Sequence, residues 1–185
     1  MPNALAKETR EKMQKSLENF QQELTHIRTG RASVGLLDAV EVDVYGTKMK
    51  INQLANITTP EPRMLVIAPW DRTQVGAIEK AILASPLNLT PSNDGHLIRI
   101  PFPPLTEERR RDLVKLVGKM AEEAKVAVRN VRRHEVDAAK KMQKDGELPE
   151  DQAHKVTDEI QKITDEFTGK IDEAYKAKEA EIMEV

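Results

Sequence analysis

The feature that most constrains the fold is a helical pattern that runs from about Thr106 to Lys144 without a break. Such a helix would span about 58 Å at about 1.5 Å per residue. A helix with one apolar seam needs partner helices to bury that seam. The seam recurs at alternating steps of four and three and comprises Leu113, Val117, Met120, Ala124, Ala127 and Val131.

Two further helical patterns near the ends of the chain supply those partners. The first covers residues 3–29, and Gly30 suits the left-handed position that follows a helix. The other begins at about Pro149, just after the helix-breaking Asp145-Gly146. This tight connection makes the second and third helices antiparallel neighbours. We therefore predict a three-helix bundle formed by residues 1–29 and 105–185.

The apolar period becomes strand-like between the first two helices. Apolar and acidic residues alternate over 40–44, and the continuous apolar run at 64–68 is typical of a central strand. Asp71 or Thr73 can cap a short helix that follows. We predict an α+β protein in which a small, mainly β domain, 31–104, is inserted into the bundle, with about five short strands and one helix.

Two chain crossings join the predicted domains, one near 30–31 and one over 101–105. The first contains Gly30, and the second contains three prolines in the four residues Pro101-Phe102-Pro103-Pro104. Proline fixes φ and favours an extended, stiff connector. This composition predicts limited swivelling about a defined hinge.

Charge is unevenly distributed along the chain. The formal net charge is only −2, which excludes bulk attraction to nucleic acid, so any such binding must use a local patch. Residues 106–144 carry 12 Lys and Arg against 7 Asp and Glu, whereas residues 147–185 carry 5 against 12. The second helix is therefore basic and the third is acidic.

Residues that support catalysis or metal binding are missing or scattered. The chain has no cysteine, and its 4 histidines have no partner at metal-ligand spacing. Gly30 and Gly35 have the spacing of a phosphate loop, but Leu36-Leu37 stands where lysine and a hydroxyl residue are required. We predict that the protein is not an enzyme and uses no cofactor or metal.

The hydropathy of the chain indicates the cellular compartment in which it functions. No apolar run approaches the about 18 residues of a membrane span. The amino terminus lacks the apolar core of a signal peptide. We expect a cytoplasmic protein without a membrane partner.

A basic stripe surrounds residues 127–133 of the second helix. No acidic residue lies between Ala124 and His134, and the arginine fork suits phosphate. Three interpretations stay open: a polyanion bound by shape and phosphate, an acidic protein partner, or a solvated, self-paired surface. At about 100° per residue, Arg132 lies at the flank of the seam and four basic residues face away from it, namely Lys125, Arg129, Arg133 and Lys140.

Motifs along the whole chain resemble the ribosome recycling factor family. The most specific are Pro103–Arg110, PPLTEERR, and Val126–Arg133, VAVRNVRR. The resemblance implies an L-shaped, two-domain protein with the dimensions of transfer RNA, built from a long three-helix bundle and a small β/α/β domain. Further matching segments lie at 27–33, 36–38, 71–72 and 78–82.

The resemblance also implies a function in translation. Such a factor, acting as a monomer, binds the post-termination ribosome with its bundle on large-subunit ribosomal RNA. With elongation factor G and GTP it promotes subunit splitting and release from mRNA, and the GTP is hydrolysed by that partner. The alternative outside translation is a helical adaptor or chaperone-like scaffold that docks through the acidic third helix or the β domain.

The same motifs carry residue assignments. They imply that Arg129 and Arg132 are the main residues that contact ribosomal RNA. The supporting residues would be Arg133, Asn130, Arg28, Arg31 and Arg110. The hinge would consist of Gly30, Arg31, Pro103 and Pro104.

Overall fold

The computed structural model describes residues 2–184, which form two compact units. The helical unit comprises the chain up to Arg28 and from Thr106 onward, and the β unit comprises Thr29–Leu105. The predicted α+β class, with a long helical bundle and a small sheet domain, is confirmed. In chain order the elements are α1 (Pro2–Thr25), β1 (Glu41–Val44), β2 (Thr47–Lys50), β3 (Ala55–Glu61), β4 (Met64–Pro69), α2 (Val75–Ala84), β5 (Ser92–Asn93), β6 (Ile98–Pro101), α3 (Glu107–Lys144) and α4 (Glu150–Met183).

Helix α3 is continuous over 38 residues. It begins where the Thr106 hydroxyl accepts a hydrogen bond from the Arg109 amide at 3.1 Å, which satisfies one of the free donors of the first turn. The Arg111 guanidinium donates to Glu107, so the acid offsets a cation that the helix dipole disfavours there. The helix ends before Gly146, whose φ of +77° turns the chain toward α4.

Helices α1, α3 and α4 pack against one another around a shared apolar core. Met13 and Phe20 of α1 and Ile160 and Phe167 of α4 are among its largest side chains, and each is at most 2% exposed. Burying a side chain of this size contributes about 1.5–3 kcal/mol. The core is therefore what makes three otherwise marginal helices stable.

The buried face of α3 differs from the predicted seam in its second half. Ala124, Ala127 and Val131 are only half-buried, whereas Val128 and Ala139 are fully buried. The reason is that α3 contacts both α1 and α4, so its buried face is wider than one seam. The centre of that face passes through Val128.

Helix α1 is shorter than predicted and ends at Thr25. The amides of His26 and Ile27 bond to carbonyls three residues earlier, at 3.2 and 3.1 Å, in a tightened last turn. Gly30 does have a left-handed backbone, with φ of +81°, but it lies in the β unit and does not cap the helix. The tightened turn ends the helix before the glycine is reached.

The β unit contains a four-stranded antiparallel sheet in the order β3-β4-β6-β5 and a separate β1-β2 hairpin. Its core includes the fully buried Leu65 and Ile67 of β4, Ile78 and Ile82 of α2, and Ile98 of β6. The predicted central strand at 64–68 is β4, which is confirmed, and Asp71 accepts a hydrogen bond from the Thr73 amide at the turn before α2.

The unit contains more strands than predicted. Strand β3 escaped the prediction because its sequence, ANITTPE, has no run of apolar residues. It lies at the sheet edge, where Pro60 is tolerated since no neighbour requires its missing amide.

Residues 2–184 lack two kinds of feature, a membrane-spanning helix and a metal-binding cluster. No helix there is both long and apolar enough to cross a membrane. No group of three or more His, Cys, Asp and Glu residues is arranged to hold a metal ion.

Candidate nucleic-acid interface

The candidate site lies on α3, and we define its basic face as Arg129, Asn130, Arg132 and Arg133. Val128, which is 0% exposed, marks the direction of the bundle core. At about 100° per residue, Arg132 lies about 40° from Val128 around the helix axis, and Arg129 and Arg133 lie about 100° and 140° from it. The three guanidinium groups therefore extend from the edge of the core to the outer surface.

Arg132 is half-buried at the edge where α3 meets α4. Its Nη1 donates a hydrogen bond to Oε1 of Gln161 at 3.2 Å, and Nε2 of Gln161 donates to Oδ1 of Asp165 at 2.9 Å. A guanidinium has five N–H donors, so this bond orients the group while leaving donors for a ligand. The flank position is the one the helical pattern predicts.

Arg129 is more exposed and has an acidic neighbour. Its Nη1 lies 3.2 Å from Oε1 of Glu122, two turns earlier on α3. The two side chains are 47% and 59% exposed, so the pair contributes at most about 1 kcal/mol and can be exchanged for another anion. The absence of an acid between Ala124 and His134 led us to expect poor neutralisation of the stripe, and this expectation was wrong for Arg129, because its partner lies outside that segment.

Asn130 and Arg133 are exposed on the outer part of the basic face. Within residues 2–184, neither side chain has a hydrogen-bond or ion-pair partner in the structure. Both are therefore available to a ligand without breaking an internal contact.

The prediction that Lys125 faces away from the bundle core was wrong. Its side chain is 22% exposed, and its Nζ lies 2.5 Å from Oδ1 of Asp172 on α4. The shift of the buried face toward Val128 brings Lys125 to about 60° from the core direction. Lys125 thus joins α3 to α4, whereas Lys140 is exposed as predicted.

The remaining predicted arginines are spread over the chain. Arg110 is half-buried in the first turns of α3, about 28 Å along the axis from Arg129, and its buried Nε has no hydrogen-bond partner among the described residues. Arg28 is exposed in the helical unit just beyond α1, and Arg31 is exposed in the β unit. Of the predicted arginines, only Arg129, Arg132 and Arg133 therefore lie close together, on one segment of α3.

The predicted hinge residues flank the two crossings. A Cβ built on Gly30 would lie 3.4 Å from Cγ and 3.7 Å from the amide N of Leu105. The two crossings are thus adjacent at this point, inside the β unit. Pro103 and Pro104 are exposed.

Sequence reasoning missed the groups that support the basic face from behind. Glu135 is 1% exposed, and its Oε1 lies 2.5 Å from Nζ of Lys12 on α1 and 3.5 Å from Nδ1 of His134. The acid nearest the stripe therefore points inward and is compensated by α1. Its spacing of four from Val131 of the predicted seam is the sequence signal that places it on the inward-facing side.

Comparison with known proteins reveals similarity along the whole chain. The profile of the ribosome recycling factor family matches residues 20–183. Proteins named ribosome-recycling factor from Bacillus licheniformis and Bacillus thuringiensis are 55% and 57% identical over 185 residues, with 100% of both chains covered.

Two solved structures are similar as well. A solution structure of the ribosome recycling factor has a TM-score of 0.78 at 42% identity, covering 100% of this chain and 98% of its own. The second, with a TM-score of 0.65, 48% identity and 100% coverage of both chains, belongs to models of the T. thermophilus ribosome recycling factor and E. coli elongation factor G bound to the E. coli post-termination complex.

Proposed function

The chain belongs to the ribosome recycling factor family, and we propose that its basic face on α3 is the surface that binds large-subunit ribosomal RNA. It functions in ribosome recycling, and its partners are the post-termination ribosome and elongation factor G.

The observation that carries the proposal is the position of Arg132. Its guanidinium is oriented by Gln161 at the α3–α4 edge, yet keeps unused N–H donors. An oriented fork loses less conformational entropy on binding phosphate than a free side chain does. Arg129 adds a charge that can leave Glu122 and pair with phosphate instead. Arg133 and Asn130 add donors that no side chain in the described part of the chain occupies.

The bundle provides the stiffness that this function needs. Helix α3 runs for about 57 Å without interruption, and its buried residues, from Leu113 to Ala139, lie in the part of the helix that packs against α1 and α4. We infer that arginine–phosphate contacts fix this helical unit on the ribosome, while the β unit receives the force from elongation factor G. GTP hydrolysis belongs to that partner, and the chain itself catalyses no reaction.

We further propose that Gly30, Arg31, Pro103 and Pro104 form the hinge between the units. Gly30 has a backbone conformation that other residues rarely adopt, and the prolines restrict φ in the second crossing. Such a pair of connectors confines motion to a few bonds. We propose that the protein functions in the cytoplasm, where ribosomes are located.

Pelleting with purified large ribosomal subunits tests the proposal. Arg132→Ala should weaken binding by about tenfold or more, because a hydrogen bond to a charged group contributes about 1.5–3 kcal/mol. The matched control is Arg72→Ala, an exposed arginine of the β unit. Equal binding of wild type and Arg132→Ala would refute the assignment of this residue.

Salt dependence separates a phosphate contact from a loss of structure. The logarithm of the affinity falls linearly with the logarithm of the salt concentration. Loss of one phosphate contact should make this fall less steep, by about one unit of slope. The urea midpoint of Arg132→Ala should stay near that of the wild type, since Arg132 lies at the edge of the core. A variant that pellets normally but unfolds earlier would show a purely structural role.

A further inference from the structure

A groove of about 500 Å³ runs between strand β1 and helix α2 of the β unit. Its β1 wall presents Glu41 and Asp43, and its α2 wall presents the small side chains of Ala77, Ala81 and Ala84. We call it the edge groove. It lies inside one unit and shares no residue with the basic face of α3.

The register of the β1-β2 hairpin determines where the backbone groups of β1 point. Its turn consists of Tyr45 and Gly46, whose φ values of 51° and 75° are typical of a type I′ turn. Such a turn makes Val44 and Thr47 a hydrogen-bonded pair, and alternation then makes Val42 and Met49 the next one. The N–H and C=O groups of the two acidic residues of β1 therefore point away from β2.

Those outward groups are unused within residues 2–184. Strand β1 pairs only with β2 there, and no turn, loop or side-chain hydrogen bond in that range reaches the backbone of Glu41 or Asp43. An unpaired strand edge is a template for a further strand. Here the edge is accompanied by a groove, so an added strand would also have space for its side chains.

Charge distinguishes the possible occupants of this edge. On β2, Lys50 lies opposite Glu41 and Lys48 lies opposite Asp43, so the acids already have basic neighbours on one side. A second copy of β1 in antiparallel pairing would place acid opposite acid, which is destabilising. A strand with lysine or arginine at alternate positions would instead place a basic residue beside each acid of β1, as β2 does on the other side.

The α2 wall of the groove determines which side chains an added strand can have on the face opposite its basic residues. Side chains between the basic positions would lie on the same side as Val42, which is buried, and would face the alanines of α2. Lys80 lines this wall and is exposed, so it disfavours a basic residue there. The groove therefore selects small or apolar side chains at these intervening positions.

We propose that the edge groove binds an extended segment of a protein partner by strand addition to β1. In that segment, lysine or arginine at alternate positions pairs with Glu41 and Asp43, and the residue between them packs against Ala77 and Ala81. Main-chain hydrogen bonds provide affinity, and the alternating side chains provide specificity. This inference does not depend on the proposed ribosomal RNA contact.

The test uses the full chain and a short labelled peptide that alternates lysine with valine. Fluorescence anisotropy should show saturable binding, and an equally long peptide that alternates glutamate with valine should not bind. Replacing both acids, with Glu41→Lys and Asp43→Lys, should weaken binding about tenfold or more. Glu61→Lys, on the edge strand β3, makes the same type of charge change elsewhere and should leave binding unchanged.

Two further measurements locate the peptide. Ala84→Trp adds a bulky group to the groove at an exposed position, so it should abolish binding while the far-UV circular dichroism spectrum stays unchanged. Hydrogen exchange of the Glu41 and Asp43 amides should slow when the peptide saturates. Absence of saturable binding, binding that both variants leave intact, or protection confined to other amides would overturn the proposal.

Discussion

Lys12 on α1 and Glu135 on α3 form an ion pair in which the carboxylate is almost completely excluded from solvent. Nζ of Lys12 lies 2.5 Å from Oε1 of Glu135, whose side chain is 2% exposed, and a second acid, Glu8, lies 2.7 Å from the same Nζ. The hydrogen bond to Glu135 raises the pKa of Lys12 above its ordinary value. The pair thus fixes α1 against the back of the helix that carries the basic face.

Lys12→Met should therefore destabilise the protein. It leaves a buried carboxylate without its main partner, and we expect a loss of about 2 kcal/mol, below the range for fully buried pairs because Lys12 is 37% exposed. Urea denaturation followed by circular dichroism measures the change. Lys15→Met is the matched control, since Lys15 is exposed. Adding Glu135→Met to Lys12→Met should recover stability, and a single variant as stable as the wild type would contradict the role of the pair.

Glu166 on α4 should make the stability of the helical unit depend on pH. The Arg10 guanidinium, 2.9 Å away, and then Lys170 lower the pKa of Glu166 to about 2. A group whose pKa is lowered on folding stabilises the protein above its unfolded pKa, and this contribution is lost as the pH falls toward the folded value. The side chain is 38% exposed, so the contribution is at most about 1 kcal/mol.

The corresponding measurement compares wild type with Glu166→Gln between pH 7 and pH 2. The wild type should be the more stable protein above the ordinary glutamate pKa of about 4.5, and the difference should vanish near pH 2. Glu173→Gln, an exposed acid on the same helix, should show no such convergence. A difference that stays constant with pH would rule out the ion pair as its source.

Gln161→Glu should separate ribosome binding from stability. The new carboxylate would pair with Arg132, which Gln161 already contacts, and would neutralise the guanidinium proposed to bind phosphate. Affinity for large subunits should fall about tenfold, because phosphate then competes with an internal anion. The urea midpoint should stay equal or rise. Gln152→Glu, exposed near the start of α4, adds the same charge elsewhere and should bind normally.

Alanine substitutions at two glycines of the β unit should have opposite effects. Gly30 has φ of +81°, and a Cβ there would also contact Leu105, so Gly30→Ala should cost about 1–2 kcal/mol. Gly76 lies in α2 with open space around it, so Gly76→Ala should stabilise by about 0.5–1 kcal/mol. Thermal unfolding of both variants provides the comparison. Equal effects would show that the backbone of Gly30 is not strained by a side chain.

The sequence predicted most of the architecture because helices and strands depend on local periodicity. The steps of four and three identified α3 and α4, and Thr106 marked the beginning of α3 as the observed hydrogen bond requires. Strand β4 was predicted from its apolar run. Strand β3 was not, since an edge strand with exposed polar residues has no pattern that separates it from a loop.

The arginines of the basic face and their helix were also determined by the sequence alone, together with the family that they indicate. What only the tertiary structure decided is which side of that helix is buried. The packing of both α1 and α4 against α3 moved the core direction to Val128, which turned Lys125 toward Asp172 and Glu135 toward Lys12. Helical periodicity describes one chain segment, whereas these partners lie 47 and 123 residues away, and long-range packing alone brings them into contact.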